Sequence, residues 1–249
     1  IDTTGLVYDN DVHTTLALVL KKENGDRDFA FYRNPGADMN LKEEEVNESL
    51  IASSSIFHFG TLSLTDESVK KATQKAVKAA KENGLTITFD PNLREPLWRS
   101  LEEAHEQVAW GLQQADVVKI SDNEITWFTG MDNYDEGIAF LQKEYPNLKL
   151  ICLSMGGDGS KAVYRDIHVA YPAFLQEATI ETTGAGDTFC ACMIHTVLEN
   201  GIDHLDEEKL KEMLKFANAA ASLVTTKKGA LRVMPTKEEV ETFIENFKR

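Results

Sequence analysis

From residue 56 onward, short runs of β-branched and aromatic residues alternate with stretches whose apolar positions recur every three or four residues. That rhythm is the mark of βαβ units built around a mostly parallel sheet. Strands are predicted over residues 56–59, 85–89, 117–120 and 148–154. Between the first two, Thr65 is placed to cap a helix with an acidic first turn (Asp66, Glu67), an apolar stripe of Val69, Ala72, Ala76, Val77 and Ala80, and a stop at Gly84. Ser100 opens another helix, with Leu101, Ala104, Val108 and Leu112 on one face. Short helices are predicted from Glu124 and over residues 136–145, then a hairpin-like pair at 162–164 and 167–170. The last third reads as helix over 187–199, 207–226 and 237–247.

Residues 1–40 follow another pattern. Two strand-like runs, 13–20 and 29–32, flank the turn sequence Glu23-Asn24-Gly25-Asp26, which predicts a hairpin. Two strands alone are marginally stable, so a lid over the main domain, residues 41–249, or a homodimer contact is expected of them. The chain opens on Ile1 without a signal-peptide pattern, and the expectation is that residues of the main domain precede it.

Charge narrows the partners. With 26 Lys and Arg against 41 Asp and Glu, the net charge of −15 leaves no basic surplus for a nucleic acid or an anionic membrane surface. Apolar runs such as 16–20 and 148–155 fall short of the roughly 18 residues of a membrane span. The three cysteines, Cys152, Cys190 and Cys192, lie in apolar segments, an odd number in a chain with no need of disulfide staples, so a reducing cytoplasm is expected. No partner pair at zinc spacing accompanies Cys190 and Cys192, and no structural metal is assigned.

In open α/β sheets ligands bind beyond the carboxyl ends of the strands. Five polar or glycine-rich stretches fall there: 58–60, 90–94, 121–124, 154–159 and 183–187. The last carries the sharpest chemistry. Gly184-Ala185-Gly186 runs into a helix opening at Asp187, so bare N–H groups and the positive helix end converge on one spot that favours an anion. Asp187 beside it can take a proton from an attacking hydroxyl, and the pair points to phosphoryl transfer. Taken alone, such a stretch is more often a tight turn and a helix cap. The following helix is apolar all round (Phe189, Cys190, Ala191, Met193, Ile194, Val197, Leu198), which predicts burial and a glycine-rich start facing inward. Neither a P-loop nor a complete Gly-x-Gly-x-x-Gly fingerprint occurs.

Thr182-Thr183-Gly184-Ala185-Gly186-Asp187-Thr188-Phe189 resembles the second signature of the ribokinase-like (PfkB-type) carbohydrate kinases. Phe31-Tyr32-Arg33-Asn34-Pro35-Gly36-Ala37-Asp38-Met39 and Asp90-Pro91-Asn92-Leu93-Arg94-Glu95-Pro96-Leu97-Trp98 resemble the fructokinase branch, and the likeness spans essentially the whole chain. It implies a three-layer ribokinase-like α/β domain with a mostly parallel central sheet and a small β lid. It also implies ATP and Mg2+ as cofactors and transfer of the γ-phosphoryl to a ketohexose, foremost the 6-OH of fructose.

By the same resemblance Asp187 would be the base and Gly184, Ala185 and Gly186 the anion hole. Glu124 would hold Mg2+ through water, although Ser121 stands where the family has Asn. Ser154, Gly156 and Gly159, with Asn218 and Gly229, would line the nucleotide, and Arg33, Asn92 and Arg94 would face the sugar. Taken singly, Glu124 is more commonly a first-turn helix carboxylate, while Arg94 can read as a surface ion pair and Asn218 as a satisfied core amide. Glu181 replaces the family's Asp at a position linked to a monovalent cation, which leaves potassium activation open. The family's first signature, a Gly-Gly-x-x-x-Asn segment, does not occur in these residues. A 2-keto-3-deoxygluconate kinase and a catalytically silent interaction module remain as alternatives.

Overall fold

The alternation of aliphatic residues at the start of the chain folds as an antiparallel pair, β1 (Leu16–Lys21) and β2 (Arg27–Tyr32), with Leu16 opposite Tyr32 and Leu18 opposite Ala30. The computed structural model describes the backbone of residues 1–21 and 27–247, and all of their side chains but those of 20, 21 and 27–29. The expected turn at Glu23-Asn24-Gly25-Asp26 lies outside the described residues. The chain divides into two compact units, Ile1–Ala115 and Asp116–Arg249.

In the first unit a short helix, α1 (Glu48–Ala52), is capped by Asn47 and precedes β3 (Ile56–Gly60), α2 (Glu67–Glu82) and β4 (Thr86–Asp90). β3 and β4 pair in parallel, from Ile56 opposite Thr86 to Gly60 opposite Asp90, as a βαβ unit requires. The cap of α2 is Asp66, whose carboxylate accepts from Ser68 N, and not Thr65 as its sequence position predicts. Thr65 is spent otherwise, donating to Leu62 O and accepting from Arg33. The stripe of α2 is buried as expected, at Val69, Ala72, Ala76, Val77 and Ala80.

Ser100 caps α3 (Leu101–Gln114), as its sequence predicts. Gly111 lies on that helix because Phe89 leaves no room for a side chain, a β-carbon there falling 2.3 Å from Phe89 Cζ. Phe59 packs on Phe89 with ring centroids 4.8 Å apart and on Trp110 at 5.8 Å, which closes the core of this unit.

The second unit opens with β5 (Val117–Ser121), followed by α4 (Asp122–Thr129), α5 (Tyr134–Glu144) and β6 (Leu150–Ser154). β5 and β6 are parallel, and Leu150 through Leu153 are fully buried, as a continuous apolar run demands. The sheet then leaves the βαβ rhythm, where the sequence predicts a hairpin-like pair. β7 (Ser160–Tyr164) and β8 (Ile167–Tyr171) both pair antiparallel, forming the hairpin expected there beside the parallel pairs of β3 with β4 and β5 with β6. The cause is the loop after β6, where Gly156 at φ 51° and Gly159 at φ 95° reverse the chain too tightly for a crossover helix.

Three helices complete this unit: α6 (Ala185–Asn200), α7 (Glu207–Val224) and α8 (Lys237–Asn246). Ala219 and Ala220 of α7, Val240 of α8 and Phe174 form a core onto which Tyr171, Phe243 and Phe247 pack. The all-round apolar sequence of α6 predicts full burial, and the structure corrects this. Thr188, Phe189, Cys190, Met193 and Val197 are buried, but Ala191 and Leu198 are exposed. The buried positions satisfy the packing of the helix, and single apolar residues tolerate exposure elsewhere on it. Among the described residues no helix is long and apolar enough to cross a membrane.

Candidate active site

The glycine-rich stretch forms the start of α6, which begins at Ala185, two residues earlier than its sequence suggests. Gly184 is the N-cap, in the left-handed region at φ 79°, and Ala185, Gly186 and Asp187 form the first turn. Gly184 is required there, since its φ is strained for any other residue and a β-carbon would lie 3.2 Å from Ala230 Cβ. Its carbonyl accepts both the N–H of Thr188 at 2.9 Å and the Thr188 hydroxyl at 2.7 Å. The N–H of Ala185 is taken by Thr182 O at 3.2 Å.

No side chain caps this helix. The N–H groups of Gly186 and Asp187 precede the first intrahelical hydrogen bond, so they and the helix dipole are available to an anion. Asp187 is the third helical residue and is exposed, so its carboxylate is open to an incoming hydroxyl. Sequence reasoning passed over a cation at the same place. Lys119 of β5 is only 5% exposed, and its Nζ lies 3.3 Å from the point where Gly186 would carry a β-carbon. A lysine inside an apolar strand reads in sequence as an edge residue, so only the packing of β5 beside α6 brings it out.

Glu124 sits at the carboxyl end of β5, in a capping box. Its Oε2 accepts from the N–H and the hydroxyl of Ser121, each at 2.8 Å, while Ser121 Oγ accepts from Glu124 N. The first-turn carboxylate role that its position predicts is therefore realised. Among the described residues no group of three or more His, Cys, Asp or Glu side chains could cage a metal by itself. The donor set fits Mg2+ only in its usual mode, with one carboxylate plus water and substrate phosphates.

The loop after β6 holds Ser154, Gly156 and Gly159. It is tied by Met155 N to Gly159 O at 2.8 Å and by Asp158 N to Met155 O at 2.9 Å. At Gly159 a β-carbon would meet Tyr171 O at 2.2 Å, so this glycine serves a close backbone approach. Asn218 is 8% exposed and its amide is used internally: Oδ1 accepts from Ser160 at 2.9 Å and Nδ2 donates to Tyr171 O at 3.0 Å and Pro172 O at 3.2 Å. Gly229 donates to the Glu181 carboxylate at 2.7 Å, and Glu181 N in turn donates to Thr225 O at 3.1 Å. These bonds hold the stretch before α6 against the segment after α7.

The first unit carries the other predicted residues. Arg33 is 8% exposed; its Nε donates to Asp38 at 2.7 Å, Nη1 to the Thr65 hydroxyl at 2.7 Å and Nη2 to Leu62 O at 2.8 Å. It lines a cavity of about 380 Å³ together with Phe31, Asp66, Trp98 and Arg99. Trp98 Nε1 is buried and has no hydrogen-bond partner among the described residues, a feature that only the packing shows. Past β4, Asp90 is buried, Asn92 adopts φ 44°, and Arg94 donates to Leu93 O at 2.9 Å. Thr61 holds this loop, donating its N–H and its hydroxyl to Pro91 O at 3.3 and 2.5 Å.

Comparison with known proteins identifies the lineage. Residues 1–237 match the model of the pfkB family carbohydrate kinases. Fructokinase-1 of Zea mays is 41% identical over 245 residues, covering 98% of this chain and 75% of that protein. Fructokinase-2 of Solanum lycopersicum is 39% identical over 244 residues, covering 98% and 74%. Among solved structures, the ATP-bound fructokinase of Xylella fastidiosa superposes with a TM-score of 0.88 at 28% identity, covering 98% of this chain and 77% of that one. The fructokinase of Vibrio cholerae O395 in its fructose-, ADP- and calcium-bound form gives 0.87 at 27% identity, with the same coverage. The α/β architecture is thus ribokinase-like, and the chain belongs to the pfkB family of carbohydrate kinases.

Proposed function

We propose that this protein is an ATP-dependent fructokinase that makes fructose 6-phosphate by direct transfer. The observation that carries the reading is the uncapped, glycine-rich start of α6 with Asp187 in its first turn, in a chain about 40% identical to plant fructokinases. Asp187 takes the proton of the sugar 6-OH as its oxygen attacks the γ-phosphorus. The new P–O bond forms while the bond from the γ-phosphorus to the β,γ-bridging oxygen breaks, and ADP leaves with that electron pair. Such transfers run through a loose transition state, so positioned charge does most of the catalysis and no covalent intermediate is needed. The N–H groups of Gly186 and Asp187 face the charge that develops on the phosphoryl oxygens.

Mg2+ supplies charge neutralisation on the phosphates when bound, and Glu124 is the residue that would hold it through water. Ser154, Gly156, Gly159, Asn218 and Gly229 shape the nucleotide side. Because the Asn218 amide is bonded within the fold, its part is to hold the walls, not to read the base. Arg33, Asn92 and Arg94 form the sugar side, with Arg33 setting the loop through Asp38 and Thr65.

Residues 1–40 are proposed to act as a lid or as a homodimer contact. Support comes from the hairpin's apolar face: Leu16, Leu18 and Tyr32 are 57%, 48% and 61% exposed, more than a two-stranded sheet in water sustains unaided. Burial raises the Cys152 and Cys192 thiols well above their ordinary range, which suits unpaired cysteines in a reducing cytoplasm.

The test is product analysis. Incubated with ATP and Mg2+, the protein should convert fructose to the 6-phosphate, identified by phosphorus NMR, in preference to 2-keto-3-deoxygluconate. Preference for the sugar acid would reassign the substrate, and transfer to neither sugar would overturn the kinase reading.

A further inference from the structure

We infer that Thr61 is a positioning residue for the sugar: by clamping the carbonyl of Pro91 it fixes the loop that presents Asn92 and Arg94, and the inference rests on the fructokinase reading above. β3 and β4 end side by side, with Gly60 opposite Asp90. The residue that follows, Pro91, is buried and has no N–H, so the pairing can be continued only through its carbonyl. Thr61 uses that carbonyl twice, with its N–H at 3.3 Å and its hydroxyl at 2.5 Å. A carbonyl oxygen has two lone pairs to offer, and the two donors match them. Thr61 is fully buried, where water does not compete for either bond.

Gly60 supplies the second argument. A β-carbon there would fall 2.8 Å from Asp90 O, so any side chain would push the two strand ends apart and draw Thr61 off its partner. The Gly60 carbonyl accepts from the Ser63 hydroxyl at 3.1 Å, and the Ser63 carbonyl accepts from the Thr73 hydroxyl of α2 at 3.0 Å. The donor of the clamp is thus carried on a segment that is itself bonded back to a helix. One residue beyond the clamp, Asn92 stands at φ 44°, a left-handed conformation that a residue with a side chain keeps when its surroundings impose it. Asn92 and Arg94 follow Pro91 by one and three residues and are half-buried, so a shift of the Pro91 carbonyl is passed to both. A misplacement of about 1 Å in a group that holds substrate can cost about 10²-fold.

The experiment is a double-mutant cycle in the fructose assay. Thr61→Val keeps the shape and removes the hydroxyl; it should raise the fructose KM at least about tenfold, with kcat and the ATP KM within about threefold of wild type. A purely structural part would lower the folded fraction, and with it kcat, and leave the fructose KM alone. Thr61→Ser keeps the donor and should restore all three constants to within about threefold. On a background carrying Asn92→Ala and Arg94→Ala, Thr61→Val should lower kcat/KM for fructose by less than about threefold, because the side chains it positions are gone. Thr61→Ala, which removes the hydroxyl without placing a methyl against the carbonyl, is the second variant should valine disturb folding, and the same split is expected of it. A fructose KM within about threefold of wild type in the folded variant would overturn the inference, as would an undiminished tenfold loss on the background lacking both side chains. Wild-type transfer to fructose and the weakened fructose binding of that background, measured alongside, test the reading on which the inference rests: where both hold and Thr61→Val is silent, the inference alone fails.

Discussion

Replacing Gly186 with alanine should make the protein more stable and less active at once. The position is helical, the second residue of α6, and its φ suits any residue. Alanine in place of glycine gains about 0.5–1 kcal/mol of helix stability, the lower end applying in a first turn. The new methyl would meet only the tip of Lys119, with Nζ at 3.3 Å, and a flexible side chain yields a few tenths of an ångström cheaply. For a chain of this length the gain corresponds to a rise in melting temperature of about 2 °C.

The same methyl would stand beside the first-turn N–H groups of α6 that are proposed to receive the phosphoryl. Loss of one such interaction costs about 10²- to 10³-fold in kcat, or about 3–4 kcal/mol of transition-state stabilisation. Thermal melting by circular dichroism and a coupled assay of ADP release measure the two effects on one preparation. A Gly186→Ala enzyme with wild-type kcat would refute the anion hole as built here. A melting temperature lowered by more than about 5 °C would refute the local packing.

Four further outcomes follow from particular contacts. Gly159→Ala should destabilise by about 2–5 kcal/mol, since the residue sits at φ 95° with Tyr171 O in the way, and urea unfolding checks this. Asn218→Ala leaves Ser160 and two backbone carbonyls without their partner and should cost about 2–3 kcal/mol in the same assay. Arg33→Lys cannot reproduce three directed contacts from one guanidinium and should lower the melting temperature by about 5 °C. The Cys192 thiol, pushed up to about 11 by burial, should react with a disulfide reagent at pH 8 about 200-fold more slowly than an ordinary thiol. Its reactivity should rise with pH as the thiolate forms.

Much of the architecture is written in local pattern. The Ser100 cap, the buried stripe of α2 and the apolar runs of β5 and β6 depend on neighbours within a few residues, and each forms where its sequence places it. Thr65 and Asp66 are both good caps, and the choice between them is made by Arg33, 32 residues away, which takes the Thr65 hydroxyl. The antiparallel turn of β7 and β8 was legible only as a hairpin, because the glycines that reverse the chain do not say which strand lies beside which. The exposed side of α6 shows the limit of composition: an apolar sequence permits burial on every face without enforcing it.

The site divides in the same way. Gly184 to Asp187 could be read because glycines before a helix carry their own physics, an αL cap and bare N–H groups. The buried Lys119 beside Gly186 could not be foreseen, since that nearness is a product of packing between residues 67 apart in sequence.

The measurement that bears most directly on the central claim is the turnover of Asp187→Asn with saturating ATP and fructose. Asparagine keeps the size and the helix start but cannot take the proton of the 6-OH. The account predicts kcat lowered at least about 10²-fold, with ADP affinity by calorimetry within about twofold of wild type. Turnover by that variant at the wild-type rate would contradict it.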